Sequence, residues 1–164
     1  MKLAILSDSH DHIPNLRRAI SRAREAGARV CFHCGDLISP FMVPVLAEFP
    51  GPVHLILGNN RGDPHLLEKQ VARFENVHFH GEFAFLEEGG LSIAMVHYPE
   101  LARGFAATGD YDLVLCGHTH VYKVLRVGRT LVINPGEILG KEGAPTFVLY
   151  DTESGEVERV ELEG

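Results

Sequence analysis

The sequence predicts an α/β fold of two mixed β-sheets packed face to face, with helices on the outside. Three observations carry that prediction. Through the first third, short apolar runs of strand length alternate with helical spacing in a β-α-β-α-β order, which reads as a doubly wound parallel sheet. The second half changes to paired strand-like runs around tight glycine-containing turns, the pattern of hairpins. The chain has 164 residues, of which 45% are hydrophobic and 23% charged. That is enough to close a core within one domain, residues 1–164, without disulfides.

Residues 2–7 form the first expected strand and run into Asp8-Ser9-His10. Ile13, Leu16, Ile20 and Ala23 then recur at helical spacing, with Pro14 suited to a first turn and Gly27 to a stop. Residues 30–34 give a second strand ending at Gly35-Asp36, residues 41–49 a short helix, and residues 52–57 a third strand ending at Gly58-Asn59-Asn60. Residues 82–86 and 91–97 flank Gly89-Gly90 as a hairpin. Residues 99–108 fit a helix with Gly109 as its stop, and 112–116 an apolar strand entering Gly117-His118-Thr119-His120. Residues 121–127 with 130–134, and 146–151 with 156–162, complete two more hairpins.

Composition excludes several classes. The balance of apolar and charged residues is that of a globular domain, neither a disordered nor a fibrous chain. No apolar run approaches the roughly 18 residues a membrane span needs. The acid at position 8 comes too early for a signal peptide, so a cytoplasmic chain with no membrane association is expected. Net charge is −7, and the whole acid excess lies beyond residue 82. That disfavours a long nucleic acid as partner. The one basic run, Arg17, Arg18, Arg22, Arg24 and Arg29, reads as a solvated helix face. Cys31 and Cys34 make a C-x-x-C, but i and i+3 on a strand point to opposite sides and no second pair exists. Cys31, Cys34 and Cys116 are read as buried, inert thiols. An excess of Arg over Lys weakly suggests a heat-loving source.

The chemistry is positional. Asp8 and His10, Asp36, Asn59, His97, and His118 and His120 all sit where apolar strands end. In open α/β sheets that rim is the usual ligand site. Asp8/His10 and His118/His120 are i, i+2 pairs whose side chains share one side of an extended backbone. One tetrahedral zinc needs only four ligands. The larger donor set here, with one carboxylate shared, suits two divalent ions. Without thiols, Mn is the first choice among Mn, Ni, Fe, Co and Zn. Two ions roughly 3.5–4 Å apart clamp the attacking and leaving oxygens of a phosphoryl displacement.

In that order, Asp8-x-His10, Gly35-Asp36, Gly58-Asn59, His97 and Gly117-His118-Thr119-His120 resemble the calcineurin-like metallophosphoesterase family over residues 1–136. The short length and Ser7-Asp8-Ser9-His10-Asp11-His12 look most like its small bacterial and archaeal phosphodiesterase branch. The resemblance implies a four-layer α/β/β/α sandwich. It places Asp8, His10 and His120 on a first metal, Asn59, His97 and His118 on a second, and Asp36 on both. It implies an enzyme in which a hydroxide shared by the ions attacks phosphorus in line. The substrates would be small nucleotide-like or aryl phosphodiesters, with Asp36, Asn59, Asn60 and His97 as the catalytic group. Many members carry a His and then an acid after the motif Asn; here those places hold Asn60 and Arg61. Asn60, Arg61 and His12 are therefore the expected substrate contacts, with water or a metal-bound group protonating the leaving alkoxide. Glu137 stands where the small branch usually has Ser, and is expected to cap a turn or to repel anions. A phosphomonoesterase on the same centre is the rival reading. A non-catalytic assembly scaffold, as in a eukaryotic branch, fits less well because every ligand position is filled. Self-association, as in the small branch, is compatible with the sequence.

Overall fold

The computed structural model describes residues 1–162. Four parallel strands, β1 (Lys2–Leu6), β2 (Ala28–His33), β3 (Val53–Leu55) and β4 (Val77–Phe79), form one half of the first sheet. The last hairpin, β10 (Thr146–Asp151) and β11 (Val157–Glu161), adds to it antiparallel, giving the order β11-β10-β1-β2-β3-β4. The second sheet has the order β5-β6-β7-β9-β8, built from β5 (Phe83–Glu88), β6 (Leu91–Val96), β7 (Leu113–Leu115), β8 (Tyr122–Val127) and β9 (Thr130–Pro135). Its central strands β6, β7 and β9 are parallel, and its hairpins lie at the edges.

The layers follow from which face each strand buries. Leu3, Ile5, Phe32 and Ile56 of the first sheet meet Ile93, Met95, Leu115 and Ile133 of the second in a core between the sheets. The opposite face of the first sheet packs on α1 (Ile13–Glu25), α2 (Val43–Leu46) and α3 (Pro64–Val71) through Leu16, Ile20, Leu46 and Leu67. The outer face of the second sheet packs on Ala102 and Ala106 of α4 (Pro99–Thr108). This is the four-layer α/β/β/α sandwich. Cys31 faces the helix side and Cys34 the inter-sheet core, as strand alternation requires. Burial pushes both thiols well above their ordinary range and Cys116 up to about 12. The arginines of α1 are exposed, while Leu16, Ala19, Ile20 and Ala23 form its buried stripe.

Three elements depart from the sequence expectation. α3 and β4 lie in residues 61–81, to which the sequence pattern assigns no element. α3 presents only Leu67 and Val71 to the core, too few positions to show a period, although Asp63 caps it with bonds from the His65 and Leu66 amides. The helix expected over 41–49 is a 3₁₀ turn, Pro40–Met42, followed by the single turn α2.

Candidate metal centre

The parallel strands of both sheets end at one rim. The chain leaves β1 at Ser7-Asp8, β2 at Gly35-Asp36, β3 at Gly58-Asn59, β6 at His97, and β7 at Gly117-His118. These ends are tied to one another through the backbone. Asp8 N donates to Gly35 O, His10 N to Asp36 O, and Gly117 N to His97 O. Asp8, His10, Asp36, His118 and His120 all have positive φ, five of the seven such non-glycine residues among those described. Left-handed backbone is costly for side chains other than Asn, Asp and Gly, and it clusters where function demands a fixed direction. Two glycines allow the close approach. A Cβ at Gly58 would fall on Asp36 Oδ1, and one at Gly117 on Ser7 Oγ and Asp8 Oδ2.

The predicted ligands gather into two groups that share Asp36. In the first, His10 Nε2 lies 3.3 Å from Asp36 Oδ2 and 3.8 Å from Asp8 Oδ1, and His120 Nε2 lies 3.4 Å from Asp8 Oδ1. One ligand atom from each of Asp8, His10, Asp36 and His120 falls within 4.8 Å of all the others. In the second, His97 Nε2 is 3.4 Å from Asp36 Oδ1 and 3.0 Å from Asn59 Oδ1, and His118 Nδ1 is 2.9 Å from the same Asn59 oxygen. Asp8 and Asp36 are buried, whereas Asn59 and His118 face the solvent, so the site opens to one side.

The electrostatics call for positive charge. Oxygen acceptors converge on imidazole nitrogens whose opposite nitrogens are already committed. His97 Nδ1 meets Cys34 O at 2.7 Å, and His120 Nδ1 meets Glu137 Oε2 at 2.6 Å. Each ring thus presents Nε2 inward. Asp8 Oδ1 and His10 Nε2 are buried without a hydrogen-bond partner, a costly arrangement unless a cation completes it. Contact with Asp8, against burial, raises the His10 pKa. Burial would lower that of His97, but Asp36 and the Cys34 carbonyl outweigh it. Burial would raise the Asp36 carboxyl, yet His97 and Asn60 hold it well below the usual carboxylate range. A hard to borderline divalent cation fits this all-N/O donor set.

The structure separates the expected substrate contacts from this group. Asn60 donates its backbone N–H to Asp36 Oδ1 at 2.9 Å and Nδ2 to Oδ2 at 2.8 Å, so both donors hold a ligand carboxylate. Arg61 pairs with Glu82 at 2.6 Å on the rim beside Gly58, His97 and Tyr98. His12 caps α1, its Nδ1 accepting from Asn15 N at 3.1 Å. Sequence reasoning missed Glu137 as an inward residue. It is 1% exposed, its Oε2 receives His120, and its Oε1 receives the amides of Glu142 and Gly143. A carboxylate between two glycine-flanked turns was the one available signal. His33 lies buried beneath these strand ends as a structural histidine, with Nε2 at 2.9 Å from Ser9 Oγ.

Comparison with known proteins places this geometry. The family model for a calcineurin-like phosphoesterase superfamily domain matches residues 1–155. Phosphodiesterase MJ0936 of Methanocaldococcus jannaschii is 32% identical, over 99% of this chain and 100% of the relative. A solved structure of an archaeal phosphodiesterase superposes with a TM-score of 0.92 at 32% identity, covering 99% of this chain and 100% of the other. The fold alone extends further. The phosphoesterase YfcE of E. coli (TM-score 0.70, 17% identity) and Vps29 of Entamoeba histolytica (TM-score 0.70, 18%) each cover 99% of this chain and are themselves covered in full.

Proposed function

Because the chain belongs to the calcineurin-like phosphoesterase superfamily and is a metal-dependent hydrolase of phosphoric esters, we propose that it cleaves small phosphodiesters at a two-metal centre. The observation that carries this reading is the sharing of Asp36. One carboxylate presents Oδ2 to His10 at 3.3 Å and Oδ1 to His97 at 3.4 Å, linking two donor groups. Asp8, His10, Asp36 and His120 would hold one divalent ion, and Asp36, Asn59, His97 and His118 the other. The ions would supply Lewis acidity toward the phosphoryl oxygens and a water ionised near neutral pH.

The chain's own residues set the rest. Asn60 fixes both oxygens of Asp36, so that neither ligand group loses its shared member. His97 and His120 are held in one tautomer by Cys34 O and Glu137. Asn59 and His118 stand at the solvent side, where an ester enters. Arg61, on the rim beside His97 and Tyr98, would have to leave Glu82 to meet a non-bridging oxygen, and His12 would have to give up its capping bond to do so. No histidine follows Asn59, so proton delivery to the leaving alkoxide falls to water, and esters with good leaving groups are favoured.

Metal content per chain, and turnover of bis(p-nitrophenyl) phosphate against p-nitrophenyl phosphate, test the reading. Two equivalents of metal, faster diester cleavage, and loss of both ions with activity in Asp36→Asn are expected. Retained diester turnover in that variant would overturn the shared role. Faster monoester cleavage would favour the phosphomonoesterase.

A further inference from the structure

One sizeable groove lies beside the candidate ligand side chains rather than over them. It is a groove of about 590 Å³ on the outer face of the second sheet, between α4 and β8. That volume is within the roughly 300–1,000 Å³ usual for small-molecule sites. Its two walls are the elements that directly follow candidate ligands. α4 begins two residues after His97, and β8 two residues after His120. The groove's lining includes Thr119, the residue between His118 and His120 in the chain. Asn134, also in the lining, donates Nδ2 to Gly117 O at 2.7 Å and to Thr119 Oγ1 at 3.0 Å, fixing that wall. Val121, Leu125 and Val132 make the surface largely apolar.

Charge in the groove runs against that of its surroundings. The half of the chain beyond residue 82 carries all of the net −7. Of its bases, Arg129 pairs with Asp112, Lys141 with Glu142 and Arg159 with Glu161, and Arg126 donates to Arg129 O. Among the described Lys and Arg side chains of that half, those of Arg103 and Lys123 alone have no hydrogen-bond or ion-pair partner, and both line the groove. Glu100 is the one carboxylate beside them, so the lining keeps a net positive charge. Two cations without a counter-ion beside an apolar floor suit an anion carried on an apolar body.

Resting on the two-metal reading above, we infer that this groove receives one organic arm of the diester. That arm is of aryl or nucleoside size and ends in a second anionic group, phosphate or carboxylate, taken by Arg103 and Lys123. The preferred substrates are then diesters with an anion at the far end of one arm.

The test measures binding of adenosine 3′,5′-bisphosphate and adenosine 5′-monophosphate by calorimetry, on metal-loaded and on chelator-treated protein. The bisphosphate should bind about tenfold tighter or better, the worth of one charge-assisted contact. The double variant Arg103→Ala/Lys123→Ala should erase that difference in both preparations, and Glu100→Gln should widen it. Val121→Asp, at an exposed site where folding is not at risk, should weaken the bisphosphate by a similar factor. Equal affinities in the parent, or a difference that survives the double variant, would overturn the inference. The chelated arm keeps the two readings apart. A groove effect that persists there while the loaded enzyme turns over no diester sinks the catalytic reading and not the groove.

Discussion

Glu137→Gln isolates a single proton position. The carboxylate is 1% exposed, and every oxygen direction in use accepts a hydrogen: Oε2 from His120 Nδ1 at 2.6 Å, Oε1 from two backbone amides. Glutamine keeps the volume but must place one NH2 somewhere in that ring of donors. If it faces the amides of Glu142 and Gly143, donors oppose donors. If it faces His120, Nδ1 must accept, the proton moves to Nε2, and that nitrogen can no longer present a lone pair beside Asp8 at 3.4 Å. Either way one charge-assisted bond is lost, worth roughly 1.5–3 kcal/mol. That corresponds to about 10- to 100-fold in metal affinity, the range typical of partners that orient a ligating histidine. On the two-metal reading, competition with a calibrated chelator should show the loss at one ion only, since Asn59, His97 and His118 make no contact with Glu137. Unchanged affinity at both ions in a folded variant would refute the orienting role. An equal loss at both would mean that Glu137 supports the whole rim rather than His120.

Three further outcomes concern stability. Gly58→Ala drives a methyl onto Asp36 and within 2.7 Å of the Asp36 backbone N, so it should cost about 1–3 kcal/mol in denaturant melts and lower bound metal; Gly104→Ala, with nothing within 4 Å in a helix interior, should instead stabilise by about 0.5–1 kcal/mol. Burial lowers the His33 pKa from 6.5 to about 4, so the native state binds fewer protons than the unfolded one in that window and loses stability as pH falls through it. In chelated protein the parent should lose about 2 kcal/mol more than His33→Gln between pH 7 and pH 5, and identical pH slopes would count against the burial argument.

The ligand residues were legible because their signal is local and repeated. An apolar run ending in Asp, Asn or His marks a strand tip whatever the tertiary arrangement, and parallel strands bring such tips to one rim. The inter-sheet core was legible through the continuous apolar runs of β1, β2 and β6, strands that are buried on both faces. What escaped was information carried by partners distant in sequence. Asn60 looks like turn chemistry after Asn59, and only the fold shows both its donors on Asp36, 24 residues away. Glu137 looks like a turn cap, and in part it is one, since Oε1 takes two local amides. Its other oxygen reaches His120 across the β8–β9 hairpin, which no local pattern encodes. The sheet to which β10 and β11 belong was similarly hidden, because a hairpin's pattern is the same whichever edge it joins.

The left-handed ligand positions say when the site is formed. Five candidate ligands are held in strained backbone, and each such residue costs of order 1–3 kcal/mol. Metal binding cannot be the sole source of that ordering, because the same turns are cross-tied by bonds that involve no ligand side chain. These are Asp8 N to Gly35 O, His10 N to Asp36 O, Ile138 N to Ser7 O and Leu139 N to Asp8 O, with Asn15 Nδ2 anchoring Ile138 O and Leu139 O to α1. The rim is thus fixed by the sandwich itself, and the donors converge before any ion arrives. On this argument metal binding to the folded protein releases little heat capacity and leaves the far-ultraviolet circular dichroism unchanged. A large disorder-to-order signature on loading would show instead that the turns are set by the cations.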